Sequence, residues 1–230
     1  MKNLLLIPAY KPDNKLIQLI YSLNDIKDLL ILIINNGNLE KYDEIFEILN
    51  KFKNISILKV PINKGKGFGI KAGLNYILDS GNYGECNIIF ADADGQHTCD
   101  DIIKMHKECL ANKAKKIFFI GKRMFNKKTP KKNYTGNLIY NFLLSFFKNI
   151  NLSDSLCGLR AISKKDSSML INIKNNDFSF EIISLIKLKE NNFFFKEVEV
   201  SSTYFSDHSS HFLNIADSYK LIKILFTKIY

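Results

Sequence analysis

Ile88-Ile89-Phe90-Ala91-Asp92-Ala93-Asp94-Gly95-Gln96-His97 is a short apolar run that ends in two carboxylates one residue apart. The run reads as a buried strand. In extended backbone alternate side chains share a face, so Asp92 and Asp94 point the same way. Gly95 permits the sharp turn that follows. Two hard oxygen ligands at a strand end suit Mg²⁺ or Mn²⁺, held by carboxylates together with substrate phosphates. A metal–diphosphate site is the first expectation; a solvated strand end carrying a chance Asp-x-Asp is the other.

Outward from that stretch the chain alternates. Strand candidates are Leu4–Ile7, Leu29–Ile34, Ile55–Val60, Asn87–Ala91 and Lys116–Ile120, each short and apolar. Helical patterns fall between them at Asn14–Leu23, Leu39–Phe52, Phe68–Leu78 and Asp100–Ala111, the first capped by Asp13 or Asn14. Continuous apolar strands separated by helices predict βαβ units and a parallel sheet covered on both faces. Ligands of such sheets bind beyond the carboxyl ends of the strands. Those ends carry Pro8-Ala9-Tyr10, Asn35-Asn36-Gly37, Asn63-Lys64-Gly65-Lys66-Gly67 and Asp92-Ala93-Asp94. The Gly65, Gly67, Gly69 cluster lacks the spacing of a dinucleotide fingerprint and of a P-loop. It reads equally as an anion site beside Lys64 and Lys66 and as a tight turn into a closely packed helix.

At 230 residues, with 46% apolar and 24% charged residues, the chain can bury a large core. No apolar run approaches the roughly 20 residues that cross a bilayer, and the N-terminus does not read as a secretory signal. Cys86, Cys99, Cys109 and Cys157 form no disulfide framework, which points to a reducing, cytoplasmic setting. His97, Cys99, His106 and Cys109 match no structural zinc spacing. The net charge of +10 is uneven: no acid falls between Glu108 and Asp154, where Lys113, Lys115, Lys116, Lys122, Arg123, Lys127, Lys128, Lys131, Lys132 and Lys148 lie. An anionic partner fits such a block, and a lysine-rich solvated face is the alternative. Aromatic residues cluster apart from most of these lysines, so nucleic acid is not expected.

Taken in order, Ile7-Pro8-Ala9-Tyr10, Asn63-Lys64-Gly65-Lys66-Gly67 and Ala91-Asp92-Ala93-Asp94-Gly95-Gln96-His97 resemble the family-2 glycosyltransferases. In the second half Gly121-Lys122-Arg123, Asn137, Asp154-Ser155-Leu156-Cys157-Gly158-Leu159-Arg160-Ala161, Phe180-Glu181 and Ser209-Ser210-His211-Phe212 are similar to the polyprenyl-phosphate (dolichyl-phosphate-type) sugar synthases. The resemblance implies a GT-A fold, α/β with a mixed, mainly parallel sheet and helices on both faces. It implies one domain over 1–230, with a nucleotide-sugar-binding half (1–115) and an acceptor-binding half (116–230). The implied activity is metal-dependent, inverting transfer from a nucleotide-sugar to a polyprenyl phosphate. Transfer to a glycan hydroxyl in surface polysaccharide synthesis, or a non-catalytic module on anionic membrane or nucleic acid, are the alternatives.

The resemblance also assigns residues. Asp92 and Asp94 would hold Mg²⁺ or Mn²⁺, with Gln96 in the metal shell. Pro8, Ala9, Tyr10, Asn36, Lys66 and Ala93 would line the donor site together with Asp92. Arg123, Lys131, Arg160 and His211 would face acceptor or phosphate oxygens. Asp94, Asp154 and Arg123 are the catalytic candidates. Asp154 would orient the acceptor, or act as base towards a hydroxyl; a cap or turn aspartate is the other reading. Arg160 binds phosphate or pairs with Asp154 or Glu181. His208 and His211 lie in a serine-rich loop that could close over the diphosphate or stay a surface loop.

Two positions depart from the family pattern. Asn35-Asn36 stands where many relatives carry an acidic pair that binds the donor base, which puts base recognition in doubt. In the first loop Lys11-Pro12-Asp13 displaces the usual acid. Finally, the apolar, aromatic Leu138–Phe147 and the C-terminal Tyr219–Tyr230 read either as core helices or as interfacial ones. The expected location is cytoplasmic, peripheral to the cytoplasmic face of a membrane.

Overall fold

Seven strands form one sheet in the order β3-β2-β1-β4-β6-β5-β7 in this computed structural model, which describes residues 2–112, 116–125, 129 and 131–201, with 131–133 as backbone alone. Along the chain run β1 (Lys2–Ala9), α1 (Asn14–Leu23), β2 (Leu29–Asn36), a 3-10 turn (Glu40–Tyr42), α2 (Asp43–Leu49) and β3 (Ile55–Val60). Next come α3 (Lys66–Asp79), β4 (Cys86–Phe90), α4 (Cys99–Ala111), β5 (Ile117–Arg123) and α5 (Lys131–Lys148). The described part ends with β6 (Arg160–Ser163), α6 (Lys164–Ile171), α7 (Ser179–Glu190) and β7 (Phe194–Val200).

The βαβ reading of the first half holds: β1 pairs parallel with β2 and β4, and β2 with β3. Leu4, Leu5, Leu6, Ile7, Ile88 and Ile89 are fully buried, as strands covered on both faces require. Asp13 caps α1, its side chain accepting from Lys15 N, and α1 buries Leu16, Leu19, Ile20 and Leu23 on one stripe. The expected helix over 39–52 is shorter than its pattern: it opens as the 3-10 turn, and the α-helix begins at Asp43.

One strand breaks the parallel rule. β6 runs antiparallel to both β4 and β5, with Phe90 opposite Arg160 and Ile120 opposite Arg160. It therefore enters the sheet at the edge where β4 and β5 leave it. The segment before β6 is thereby laid against the carboxyl end of β4, beside Asp92.

Candidate active site

The site forms where β1, β2, β4 and β5 end and β6 begins. Asp92 and Asp94 follow β4, and Gly95 turns the chain at φ 79°, a left-handed conformation that favours glycine. A side chain at Gly95 would meet the stem of Lys15 on α1 at 3.1 Å. The Asp94 carboxylate accepts from Gln96 N at 2.9 Å, which closes the turn.

Asp92 is the more constrained acid. Lys66 Nζ lies 2.5 Å from Asp92 Oδ1 and 2.9 Å from Glu181 Oε1, bridging the two carboxylates. On the other side His97 Nε2 sits 3.4 Å from Asp92 Oδ2; the ring is buried and this nitrogen makes no hydrogen bond among the described residues. Gly158 forms the floor: a Cβ there would fall 2.4 Å from Asp92 Oδ2 and 3.3 Å from His97 Nε2. Burial by itself would raise Asp92, but the Lys66 ammonium and His97 hold it well below the usual carboxylate range. Asp94 moves the other way, pushed up by burial and by the negative charge of Asp92. Burial works against the Lys66 charge too, yet the two carboxylates raise it above an ordinary lysine.

Lys66 is placed by glycines. Gly65 opens α3 at φ 109°, and a Cβ on it would strike Asn176 O at 2.4 Å. A Cβ on Gly67 would meet Phe180 Cβ at 2.6 Å, and one on Gly73 would meet Leu6 Cδ1 at 2.5 Å. The glycine cluster is thus the close-packing device of the two readings. It lets α3 lie on the sheet and against the start of α7, with Lys66 between Asp92 and Glu181.

Asparagines link the three loops on the other side. Asn38 Nδ2 donates to Asn35 Oδ1 at 2.9 Å and to Ala9 O at 2.8 Å, tying β1 to β2. Asn36 Nδ2 donates to Asn63 Oδ1 at 3.4 Å and Gly65 O at 3.2 Å, and Gly65 N donates to Asn63 Oδ1 at 2.7 Å. Both partners of Asn36 Nδ2 are acceptors, so the amide orientation is fixed. Asn36 Oδ1 is buried and without a hydrogen-bond partner among the described residues. Tyr10, just beyond β1, is exposed.

At the end of β5, Arg123 grips Asp154 in a two-point pair, Nε to Oδ2 at 2.6 Å and Nη2 to Oδ1 at 2.9 Å. Arg123 N and Leu156 N also donate to that carboxylate. Asp154 is completely buried. Glu197 on β7 accepts from Ser153 N and Ser153 Oγ, which fixes the loop leading into the pair.

A model of the glycosyl transferase family 2 matches residues 5–169 of this chain. The chain belongs to glycosyltransferase family 2. It is 26% identical over 237 residues to the UDP-N-acetylglucosamine–dolichyl-phosphate N-acetylglucosaminyltransferase of Methanococcus voltae, covering 94% of this chain and 92% of that one. A dolichyl-phosphate beta-glucosyltransferase of Trichomonas vaginalis is 28% identical over 185 residues, 72% of this chain and 54% of the relative's length. Glucosyl-3-phosphoglycerate synthase from Mycobacterium tuberculosis, solved with UDP, superposes with a TM-score of 0.67 at 17% identity, over 97% of this chain and 78% of that one. The fold is therefore GT-A, as the sequence resemblance implied.

Two of the expected roles need correction in this transferase. Arg160 does not face a phosphate, and it pairs with neither the Asp154 nor the Glu181 carboxylate. It is buried, and its guanidinium donates to the carbonyls of Cys157 at 2.8 Å, Glu181 at 2.7 Å and Ser155 at 3.0 Å. Satisfying those loop carbonyls makes it a strut under the site. Asp154 is not placed to act as a base, since both of its oxygens are held by Arg123. The side chains of Lys131 and His211, and the segment 219–230, lie outside the described residues.

Among the described residues no three His, Cys, Asp or Glu side chains gather to hold a metal ion by themselves. The donor set still fits a cation that shares its coordination with phosphate. Two hard carboxylates lie close enough to interact, and burial together with the charge of Asp92 makes a negative charge on Asp94 unfavourable. Sequence reasoning missed Gly158; it read Glu181 as a helical residue used in structural pairing or in catalysis, without naming Lys66 as its partner. Gly158 lies in the quoted Leu156-Cys157-Gly158-Leu159 run, but its contact with Asp92 depends on the antiparallel entry of β6.

Proposed function

We propose that this transferase moves a sugar, with inversion, from a nucleotide-sugar to a polyprenyl phosphate, using Mg²⁺ or Mn²⁺. The acid-rich cluster at the sheet edge carries this reading, and the dolichyl-phosphate transferases among its relatives support it. Asp92 and Asp94, with Gln96, would hold the cation, which supplies charge neutralisation to the departing nucleotide diphosphate. Pro8, Ala9, Tyr10, Ala93 and Lys66 line the donor side. Asn36 Oδ1, a buried acceptor without a partner among the described residues, would accept an N–H of the donor base.

The acceptor's phosphate oxygen attacks the anomeric carbon as the carbon–oxygen bond to the diphosphate breaks on the opposite face. A phosphate monoester has a second pKa of about 6, so the nucleophile is already ionised at neutral pH and no base need take a proton. The committed Asp154 is in keeping with that chemistry. Its role is to hold Arg123 at the end of β5, where the guanidinium, with Lys131 and His211, serves the acceptor phosphate.

No helix among the described residues is long and apolar enough to cross a membrane. α5, however, exposes Leu138, Ile139, Phe142 and Phe146 while burying Asn137, Tyr140 and Leu144. An exposed stripe of that kind on the acceptor side suits shallow insertion at the cytoplasmic face of a membrane, with Lys148 at its end.

The test incubates the full chain with Mn²⁺ or Mg²⁺, a short polyprenyl phosphate and a panel of nucleotide-sugars, reading lipid products by mass. A glycosyl phospholipid that requires metal is expected. Donor consumption without a lipid product would move the acceptor to a glycan hydroxyl. For α5, Phe142→Ser with Phe146→Ser should weaken sedimentation with anionic vesicles by about tenfold or more, given the apolar surface removed. Unchanged binding would remove α5 from the membrane contact.

A further inference from the structure

We infer that Glu181 is a positioning residue that holds Lys66 as an exchangeable counter-cation, releasing Asp92 to a divalent ion without leaving the ammonium unpaired. This rests on the metal–nucleotide reading of the site. Lys66 Nζ contacts Asp92 at 2.5 Å and Glu181 at 2.9 Å, and each of the three side chains is largely screened from solvent, at 14%, 27% and 14% exposure for Lys66, Asp92 and Glu181. The ammonium takes the electrostatic place of a cation on Asp92. A divalent ion on that carboxylate competes with it directly.

Removing one partner from a buried ion pair is costly because the remaining charge has nothing to replace it. Glu181 supplies the replacement in advance. It sits in the first turn of α7, and its carbonyl is fixed by Arg160 Nη1 at 2.7 Å and Ser184 Oγ at 2.7 Å. Lys66 is fixed at its own backbone by the Gly65 and Gly67 contacts with residues 176–180. The Phe178 ring lies 5.7 Å from its Nζ, a further favourable surface for the cation. The ammonium can thus keep Glu181 when Asp92 turns to the metal, with both backbones in place.

Mn²⁺ binding to the full chain, followed by the free-ion electron paramagnetic resonance signal with and without UDP, tests this without turnover. Glu181→Gln is expected to weaken Mn²⁺ binding by about tenfold, within the range of residues that support metal ligands. Lys66→Met is expected to strengthen binding of Mn²⁺ alone, because the competitor is gone. The Glu181→Gln effect should then vanish in the Lys66→Met background. Persistence of the effect there would overturn the inference, since it would mark Glu181 as a simple distant charge. So would a Glu181→Gln affinity equal to wild type. If Lys66→Met does not fold by circular dichroism, Lys66→Gln takes its place in the cycle. Wild-type protein that takes up no Mn²⁺ even with UDP would remove the metal reading itself, and this inference with it.

Discussion

The neighbouring strands β1 and β4 carry a buried polar cluster at each end, and the clusters are built oppositely. At the amino ends, Asn3 Nδ2 donates to His106 Nδ1 and to His106 O, both at 3.0 Å. Asn87 Nδ2 donates to Asn3 Oδ1 at 3.2 Å and to Cys109 O at 3.3 Å. That network is neutral and closed, and it staples α4 to the sheet. At the carboxyl ends, Asp92 and Glu181 hold Lys66 between them, Asp94 lies within the field of Asp92, and His97 Nε2 is buried with no hydrogen bond among the described residues. That cluster is charged and open. A closed network needs nothing further, whereas a cluster with more carboxylates than ammonium groups is completed by a cationic ligand.

The Arg123–Asp154 pair separates charge from openness, because it is charged yet closed. Closure then predicts an architectural response. Asp154→Asn should cost about 3 kcal/mol, the low end for breaking a buried pair because Arg123 is partly exposed. For a chain of this length that lowers the Tm by about 6–12 °C, measurable by calorimetry. An unchanged Tm would break the comparison at this point. Asp94→Asn should do the reverse. Losing a buried charge beside Asp92 leaves the metal-free Tm level or higher, while sugar transfer falls by about two orders of magnitude or more through lost leaving-group stabilisation. A drop in Tm that accounts for the lost activity would make Asp94 part of the scaffold instead.

Gly158→Ala probes the floor of the open cluster. Its Cβ would lie 2.4 Å from Asp92 Oδ2, the oxygen beside His97, so the carboxylate must shift from its present place. Misplacement on this scale costs up to about a hundredfold in rate, and a loss of about tenfold or more in kcat/KM is expected with the circular dichroism spectrum retained. Wild-type kinetics would show that Asp92 tolerates the displacement.

Much of this contrast was legible in the sequence, unevenly. The parallel half announced itself because β1, β2 and β4 are covered on both faces and therefore continuously apolar. Asp92 and Asp94 stood out as an Asp-x-Asp after an apolar strand, although β4 ends at Phe90 and the chain already turns at Ala93-Asp94, so the turn and not the strand period places them. The acceptor half was harder to read. β6 is four residues long and begins with arginine, and β7 (Phe-Phe-Lys-Glu-Val-Glu-Val) carries the charges of an edge strand. The antiparallel direction of β6 depends on which strands flank it, a long-range fact without a local signature. The same holds for Arg160, whose use as a strut depends on carbonyls from two separate segments. Lys66 between two acids follows from glycine contacts 110 or so residues apart, as Gly67 meets Phe180.

The closed end makes the smallest and most specific prediction. His106 Nδ1 receives the Asn3 amide, so the ring is held neutral, and burial lowers its affinity for a proton below the ordinary histidine value. In the unfolded chain the same histidine takes up its proton near pH 6.5, a typical value. As pH falls through that value the unfolded state binds more protons than the native one, and stability declines. The contribution is fully present above about pH 6.5 and lost progressively below it, with a slope of at most about 1.4 kcal/mol per pH unit for one group. His106→Asn offers an amide oxygen to Asn3 but has no proton to gain. Denaturant unfolding between about pH 7 and pH 5, above the ordinary carboxylate range, should show a flatter slope for this variant than for wild type. Equal slopes would mean that the histidine can charge in place, and the amino-end network would then be as open as the one at the other end of the same strands.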